Sequence, residues 1–215
     1  MQELNKRIYT SILLFGLFVF AIFNKYLLFT LLIIVFYEVF YEIFKILKKI
    51  IISENKIKLY FYILFTNIYL VMFVTVVWSF LSNDILYNKI EFLIIVTISI
   101  LSDIGGYCFG KILGGKKLTK ISPNKTYSGM IGSFLLSILI TPMLFINYFE
   151  LQNLILLAVI LSAITQIGDL FISYLKRKSN LKDTGKLLPG HGGLLDRFDG
   201  IIFAVPLGAL IIKFL

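Results

Sequence analysis

Seven apolar runs divide this chain, near 8–23, 26–44, 59–81, 91–112, 128–148, 153–175 and 198–215, and no other feature restricts its fold so tightly. Hydrocarbon offers the backbone no hydrogen-bond partners, so a segment that crosses it must satisfy its own N–H and C=O groups, as a helix does. A helix needs about 20 largely apolar residues to cross about 30 Å of hydrocarbon, which is the length of these runs. The fold predicted is therefore all-α, a polytopic transmembrane helical bundle of about seven spans. Composition agrees: 59% of the 215 residues are hydrophobic, whereas a soluble domain is nearer half. The start MQELNKR followed by an apolar run resembles a signal peptide, but no small-residue cleavage pattern follows, and the run is read as a retained first span. The turn between the first two runs, at Asn24-Lys25, is tight.

Charge orients the bundle. A net charge of +9 invites a nucleic-acid reading, but the basic residues lie between the apolar runs, where they set topology; no nucleic-acid partner is expected. With the N-terminus cytoplasmic, eighteen of the 21 Lys and Arg residues fall inside, and only Lys25, Lys89 and Lys213 fall outside. The two longest polar loops, 113–127 and 176–197, then face the cytoplasm. Residues 1–90 are expected to form N-terminal transmembrane helices, and 91–215 a second transmembrane part that carries both basic loops. A single cysteine, Cys108, excludes an intrachain disulfide.

Against this oily background a few ionisable groups stand out, because each costs several kcal/mol at membrane depth. Glu38 and Glu42 share a helical face in the second run and read as an interfacial pair near its cytoplasmic end. Asp103 lies mid-run beside Ser102, just before Gly105 and Gly106, where missing side chains let a helix or a ligand come close. It calls either for a metal or other cation, or for a structural interhelical hydrogen bond. In the loop beyond it, Gly110 to Lys117 is one residue short of a phosphate-binding loop; it lacks the preceding strand and the following Ser or Thr, so that reading is rejected. The loop's lysines suit lipid headgroups. The turn Ser122-Pro123-Asn124-Lys125-Thr126 also presents a lysine and hydroxyls suited to phosphate oxygens.

The densest chemistry lies between Ile167 and Gly200, which holds four of the twelve carboxylates, six basic residues and the one histidine, His191. Asp169 and Ser173 share a helical face, Lys176 and Arg177 mark the membrane exit, and Asp196 and Asp199 share a face at the start of the last run. Carboxylates from two helices, with Gly190, Gly192 and Gly193 between them, suit a hard cation such as Mg²⁺ together with substrate phosphates. One histidine and one cysteine make a zinc site improbable.

This segment closely resembles the CDP-diacylglycerol synthases, or phosphatidate cytidylyltransferases. Their pattern S-x-x-K-R-x-x-x-x-K-D-x-G-x-x-x-P-G-H-G-G-x-x-D-R-x-D is complete here. It is met by Ser173, Lys176, Arg177, Lys182, Asp183, Gly185, Pro189, Gly190, His191, Gly192, Gly193, Asp196, Arg197 and Asp199. Upstream elements of the family are matched by Asp103, Gly105, Gly106, Tyr107, Gly110, Ser122, Pro123, Lys125 and Thr126, so the likeness covers roughly 100–205. Two departures are Asn124, where the family commonly has a second lysine, and Ser128, where it has an acidic residue.

The resemblance implies the reaction of CTP with phosphatidic acid to give CDP-diacylglycerol and pyrophosphate, within phospholipid biosynthesis. It makes 91–215 a catalytic transmembrane domain. By the same analogy Asp169 and Asp196 hold a two-metal centre of Mg²⁺ with a second cation such as K⁺, supported by Asp199 and Asp103. Lys176, Arg177, Lys182 and Asp183 join the catalytic set, while Ser122, Lys125, Thr126, Ser173, His191 and Arg197 bind substrate. A bacterial-type inner membrane, an active site facing the cytoplasm, lipid entering between helices and a homodimer are further implications. Two other readings use the same groups. A CTP-dependent lipid kinase of the dolichol or phytol type would release CDP, and a cation-coupled transporter would place Asp103 and Asp169 at the bilayer midplane.

Overall fold

The computed structural model describes residues 13, 16–51, 56–119, 121–185, 187 and 192–215. The described elements are helices: α1 Lys25–Ile51, α2 Lys56–Leu81, α3 Leu86–Leu113, α4 Tyr127–Phe145, α5 Leu151–Lys178, α6 Leu195–Phe198 and α7 Ile201–Ile212. Helical residues 13 and 16–23 precede α1, and the other residues of the first predicted span, 8–12, 14 and 15, lie outside the described residues. Helices α1 to α5 are each long and apolar enough to cross a membrane, and the protein is an integral membrane protein. They coincide with the second to sixth apolar runs.

The last run, 198–215, contains the twelve-residue α7, shorter than the five helices long enough to cross, and the single turn α6 ends at its first residue. A Cβ at Gly200 would overlap the Thr165 side chain, so the start of α7 packs closely on α5 where only a glycine fits.

Two compact units make up the chain: 1–84 with 175–198, and 85–174 with 199–215. In the first, Asn24 opens α1 by accepting the Tyr26 and Leu27 amides at 3.0 and 3.1 Å, the side-chain capping expected of Asn. One stripe of α1 is buried: Leu28, Leu32, Val39, Glu42 and Ile46. Its spacing is that of a helix face packed on a neighbour. Trp78 of α2 meets Phe29 of α1 edge-on, with centroids 5.6 Å apart.

The second unit is built on small residues. A Cβ at Gly132 would overlap Phe109, and one at Gly106 would stand 2.9 Å from Ser133 Oγ, so α3 and α4 touch almost backbone to backbone. Lipid tails are as apolar as leucine, so helices in a bilayer gain by close packing of small residues and by interhelical hydrogen bonds. Both operate here. Ser133 Oγ donates to the Ser102 carbonyl at 2.7 Å, Ser102 and Ser162 hydroxyls pair at 3.0 Å, and Thr165 Oγ1 donates to Ser99 Oγ at 3.1 Å.

Candidate functional site

In the first unit the site grows from the end of α5. Asn180 adopts φ +55°, Asn180 N–H bonds to Arg177 O at 3.0 Å and Leu181 N–H bonds to Lys176 O at 2.8 Å. This is the paired-bond helix ending that a left-handed residue allows. It stops α5 directly after its basic turn and sends the chain back on itself. Thr184 then donates its amide to Asp196 Oδ2 at 2.8 Å, and Gly193 donates its amide to the same oxygen at 3.0 Å. Lys176 Nζ takes the other oxygen, Oδ1, at 2.8 Å. Lys176 is only 13% exposed and Asp196 9%, so the pair is nearly dry. Burial pushes the Asp196 carboxyl up, but the Lys176 hydrogen bond and the Thr184 and Gly193 amides outweigh it and hold the group below the usual carboxylate range.

Glycine is required where the loop crosses Asp196. Gly192 has φ +83°, and a Cβ there would stand 2.9 Å from Asp196 Oδ2 and 3.4 Å from Asp183 Cβ. Arg177, Lys182, Asp183 and Arg197 are exposed. His191 lies outside the described residues.

In the second unit Lys125 and Asp169 form an ion pair, and Ser173 Oγ donates to Asp169 Oδ1 at 3.3 Å. Asp103 is within electrostatic reach of both Asp169 and Lys125. Lys125 is presented by a turn in which its amide bonds to Ser122 O at 3.1 Å, with Pro123 and Asn124 at the corner. Thr126 caps α4 by accepting the Gly129 amide at 3.1 Å. Ser128 Oγ pairs with Thr126 Oγ1 at 2.9 Å and donates to the Gly114 carbonyl. Position 128 therefore ties the end of α3 to the start of α4 with a hydroxyl. The glycines beside Asp103 admit α4: Gly105 lies against Gly132 and Ser133. Asp199 Oδ1 accepts the Gly200 amide at 2.9 Å, and its carbonyl lies 3.0 Å from where a Gly168 Cβ would stand, one residue from Asp169.

The predicted residues thus form two groups. Lys176, Arg177, Lys182, Asp183, Asp196 and Arg197 belong to the first unit, and Asp103, Ser122, Lys125, Thr126, Asp169, Ser173 and Asp199 to the second. Within each unit, among the described residues, no three His, Cys, Asp or Glu side chains form a ready-made metal cage. The donors are nonetheless hard carboxylate oxygens, and Asp169 with Asp103 nearby already draws a cation in the form of the Lys125 ammonium. That chemistry fits Mg²⁺.

Two residues of this neighbourhood were not predicted. Glu42, read as an interfacial acid, is 2% exposed and accepts hydrogen bonds from the loop. Thr184, a variable place in the family pattern, joins Glu42 to Asp196 through its hydroxyl, at 2.6 and 3.1 Å. The available signal was periodic: Glu42 occupies the stripe of Val39 and Ile46, which faces inward.

Known proteins resemble this chain. The family model described as "Cytidylyltransferase family" matches residues 49–215. A phosphatidate cytidylyltransferase of Rickettsia bellii is 43% identical over 141 residues, 60% of this chain and 59% of that protein. Those of Staphylococcus haemolyticus and Staphylococcus aureus are 48% and 49% identical over 111 residues, 50% of this chain and 43% of each. The chain spans about half the length of the curated relatives it matches. With its family match covering more than three quarters of its residues, including α2 to α7, the chain belongs to the cytidylyltransferase family.

Proposed function

We propose that the protein is a phosphatidate cytidylyltransferase acting at the cytoplasmic face of a bacterial-type inner membrane. A phosphate oxygen of phosphatidic acid attacks the α-phosphorus of CTP. The new P–O bond forms as the bond from the α-phosphorus to the bridging oxygen breaks, and pyrophosphate leaves with that electron pair. The nucleophile is already anionic, so positioning and charge neutralisation must supply the catalysis.

One observation carries the reading: a glycine-lined loop at the end of an apolar helix holds Lys176 and Asp196 as a nearly dry pair, while Arg177 and Lys182 of the same stretch are exposed. Asp196 fixes the Lys176 ammonium where it can meet a phosphate oxygen, and the guanidinium of Arg177 can bond two such oxygens at once. In the second unit Lys125, with Ser122 and Thr126 on the same turn, offers a second set of phosphate donors. Asp169, assisted by Asp103 and Asp199, would hold Mg²⁺ there, and Asp196 would do so in the first unit. When bound, the metal supplies neutralisation of phosphate charge.

The test uses the full chain in detergent with phosphatidic acid, α-labelled CTP and Mg²⁺. Label is expected in the chloroform-soluble product, and Asp196→Ala is expected to lower the rate at least about 100-fold. Absence of lipid label with a folded wild-type preparation overturns the reading. Transfer from γ-labelled CTP to an isoprenoid alcohol would then identify a lipid kinase.

A further inference from the structure

We infer that Glu42 is a positioning residue: a buried carboxylate of membrane helix α1 that holds the loop after α5 in its working shape and, through Thr184, sets Asp196. Both Glu42 oxygens are engaged. Oε1 accepts the Leu194 amide at 2.9 Å, and Oε2 accepts the Leu195 amide at 2.9 Å and the Thr184 hydroxyl at 2.6 Å. All three donors belong to the segment that carries Asp196, and all are buried. The donors at Leu194 and Leu195 are the amides at the start of α6, so Glu42 satisfies helix-end groups that no intrahelical carbonyl can reach.

The glycine pattern of the loop fits this role. A Cβ at Gly193 would overlap both Thr184 Oγ1 and Glu42 Oε1, and one at Gly185 would overlap Glu42 Oε1. Two glycines of the segment therefore make room for a carboxylate that arrives from another part of the chain, 142 residues before Thr184. Glu38, one turn earlier, lies off the buried stripe.

The geometry orders the groups as Glu42, Thr184, Asp196, Lys176. Thr184 donates its amide to Asp196 at 2.8 Å while its hydroxyl is held by Glu42 at 2.6 Å. Movement of Glu42 would release Thr184, and with it one of the amides that hold Asp196 and Lys176. Glu42 touches none of the groups assigned to substrate, so its effect passes through the loop. The catalytic part of this inference rests on the cytidylyltransfer reading above, and the loop part does not.

The experiment compares the full-length wild type with Glu42→Gln, Thr184→Val, Thr184→Ser and the control Glu38→Gln, in detergent, by cytidylyl transfer and by hydrogen exchange at Leu194 and Leu195. Glu42→Gln keeps the shape but turns an amide donor toward N–H groups. It is expected to lower kcat about 10- to 100-fold, the usual cost of losing a partner that orients a site residue. KM for CTP and for phosphatidic acid should move less than about threefold, because ground-state contacts remain. Exchange at Leu194 and Leu195 should quicken about tenfold, with the α2 amides unchanged. Thr184→Val should follow Glu42→Gln in kcat, whereas Thr184→Ser, which keeps the hydroxyl, and Glu38→Gln should keep the wild-type rate. Glu42→Gln with wild-type kcat and wild-type exchange overturns the inference, as does Thr184→Ser falling as far as Thr184→Val. If the wild type transfers no cytidylyl group, exchange alone decides: faster exchange in Glu42→Gln supports the loop role and faults only the reaction assigned, and unchanged exchange overturns both roles of Glu42.

Discussion

A carboxylate withdrawn from water keeps its charge only when donors surround it, and Asp196 meets that demand with Lys176 on one oxygen and the Thr184 and Gly193 amides on the other. Such an arrangement leaves no slack around it. Gly193→Ala would push a methyl into Thr184 Oγ1 and Glu42 Oε1. It is expected to cost about 1–3 kcal/mol, the usual range for overpacking, and to lower transfer activity with it. Thermal unfolding of the detergent-solubilised protein measures the first effect. Gly16→Ala is the comparison, since among the described residues nothing lies within 4 Å of a Cβ there and the midpoint should not fall. At this scale the signature loop was legible as a place rich in charge and glycine, but the reason for Gly185 and Gly193 was not. That reason is Glu42, and no local pattern links residues so far apart in the chain.

Among the elements, α3 and α4 show which force matters more in this membrane protein. Their contact combines glycine packing with the hydrogen bond from Ser133 to the Ser102 carbonyl. Interhelical hydrogen bonds in bilayers contribute about 0.6 kcal/mol on average. A methyl forced into a packed interface costs about 1–3 kcal/mol. Gly132→Ala, which overlaps Phe109, should therefore lower the unfolding midpoint clearly more than Ser133→Ala does; equal shifts would refute the packing argument. The small residues near Asp103 were visible in the sequence as an invitation to close approach. That the visitor is helix α4 became clear only in three dimensions. The close packing of Gly200 on Thr165 was likewise hidden, because hydropathy does not register which side chain a glycine faces.

For the whole molecule the governing quantities are apolar length and the placement of charge. Five of the runs are helices long enough to span, and the basic loops between them carry the orienting charge. With the N-terminus inside, Lys116→Cys and Lys178→Cys on a Cys108→Ser background should react with an impermeant thiol reagent only from the cytoplasmic side. Lys89→Cys should react only from outside, and the reverse pattern would invert the proposed topology. The two units are each closed by segments distant in sequence, 175–198 joining 1–84 and 199–215 joining 85–174. A pass along the chain sees runs and loops in order and has no access to that exchange of partners.

By itself the sequence determined the helical class, the five long helices to within several residues at their ends, the cytidylyltransferase signature and the loop in which its basic groups lie. These follow from local rules: hydrocarbon demands self-satisfied backbone over a known length, and charge must leave it. The tertiary structure alone decided which acid holds which loop. It turned Glu42 from an interfacial acid into the buried acceptor of Thr184, Leu194 and Leu195, and gave Asp169 the Lys125 ammonium as its partner. Away from water a carboxylate must find its donors inside the protein, and only the packed helices bring those donors within hydrogen-bond reach.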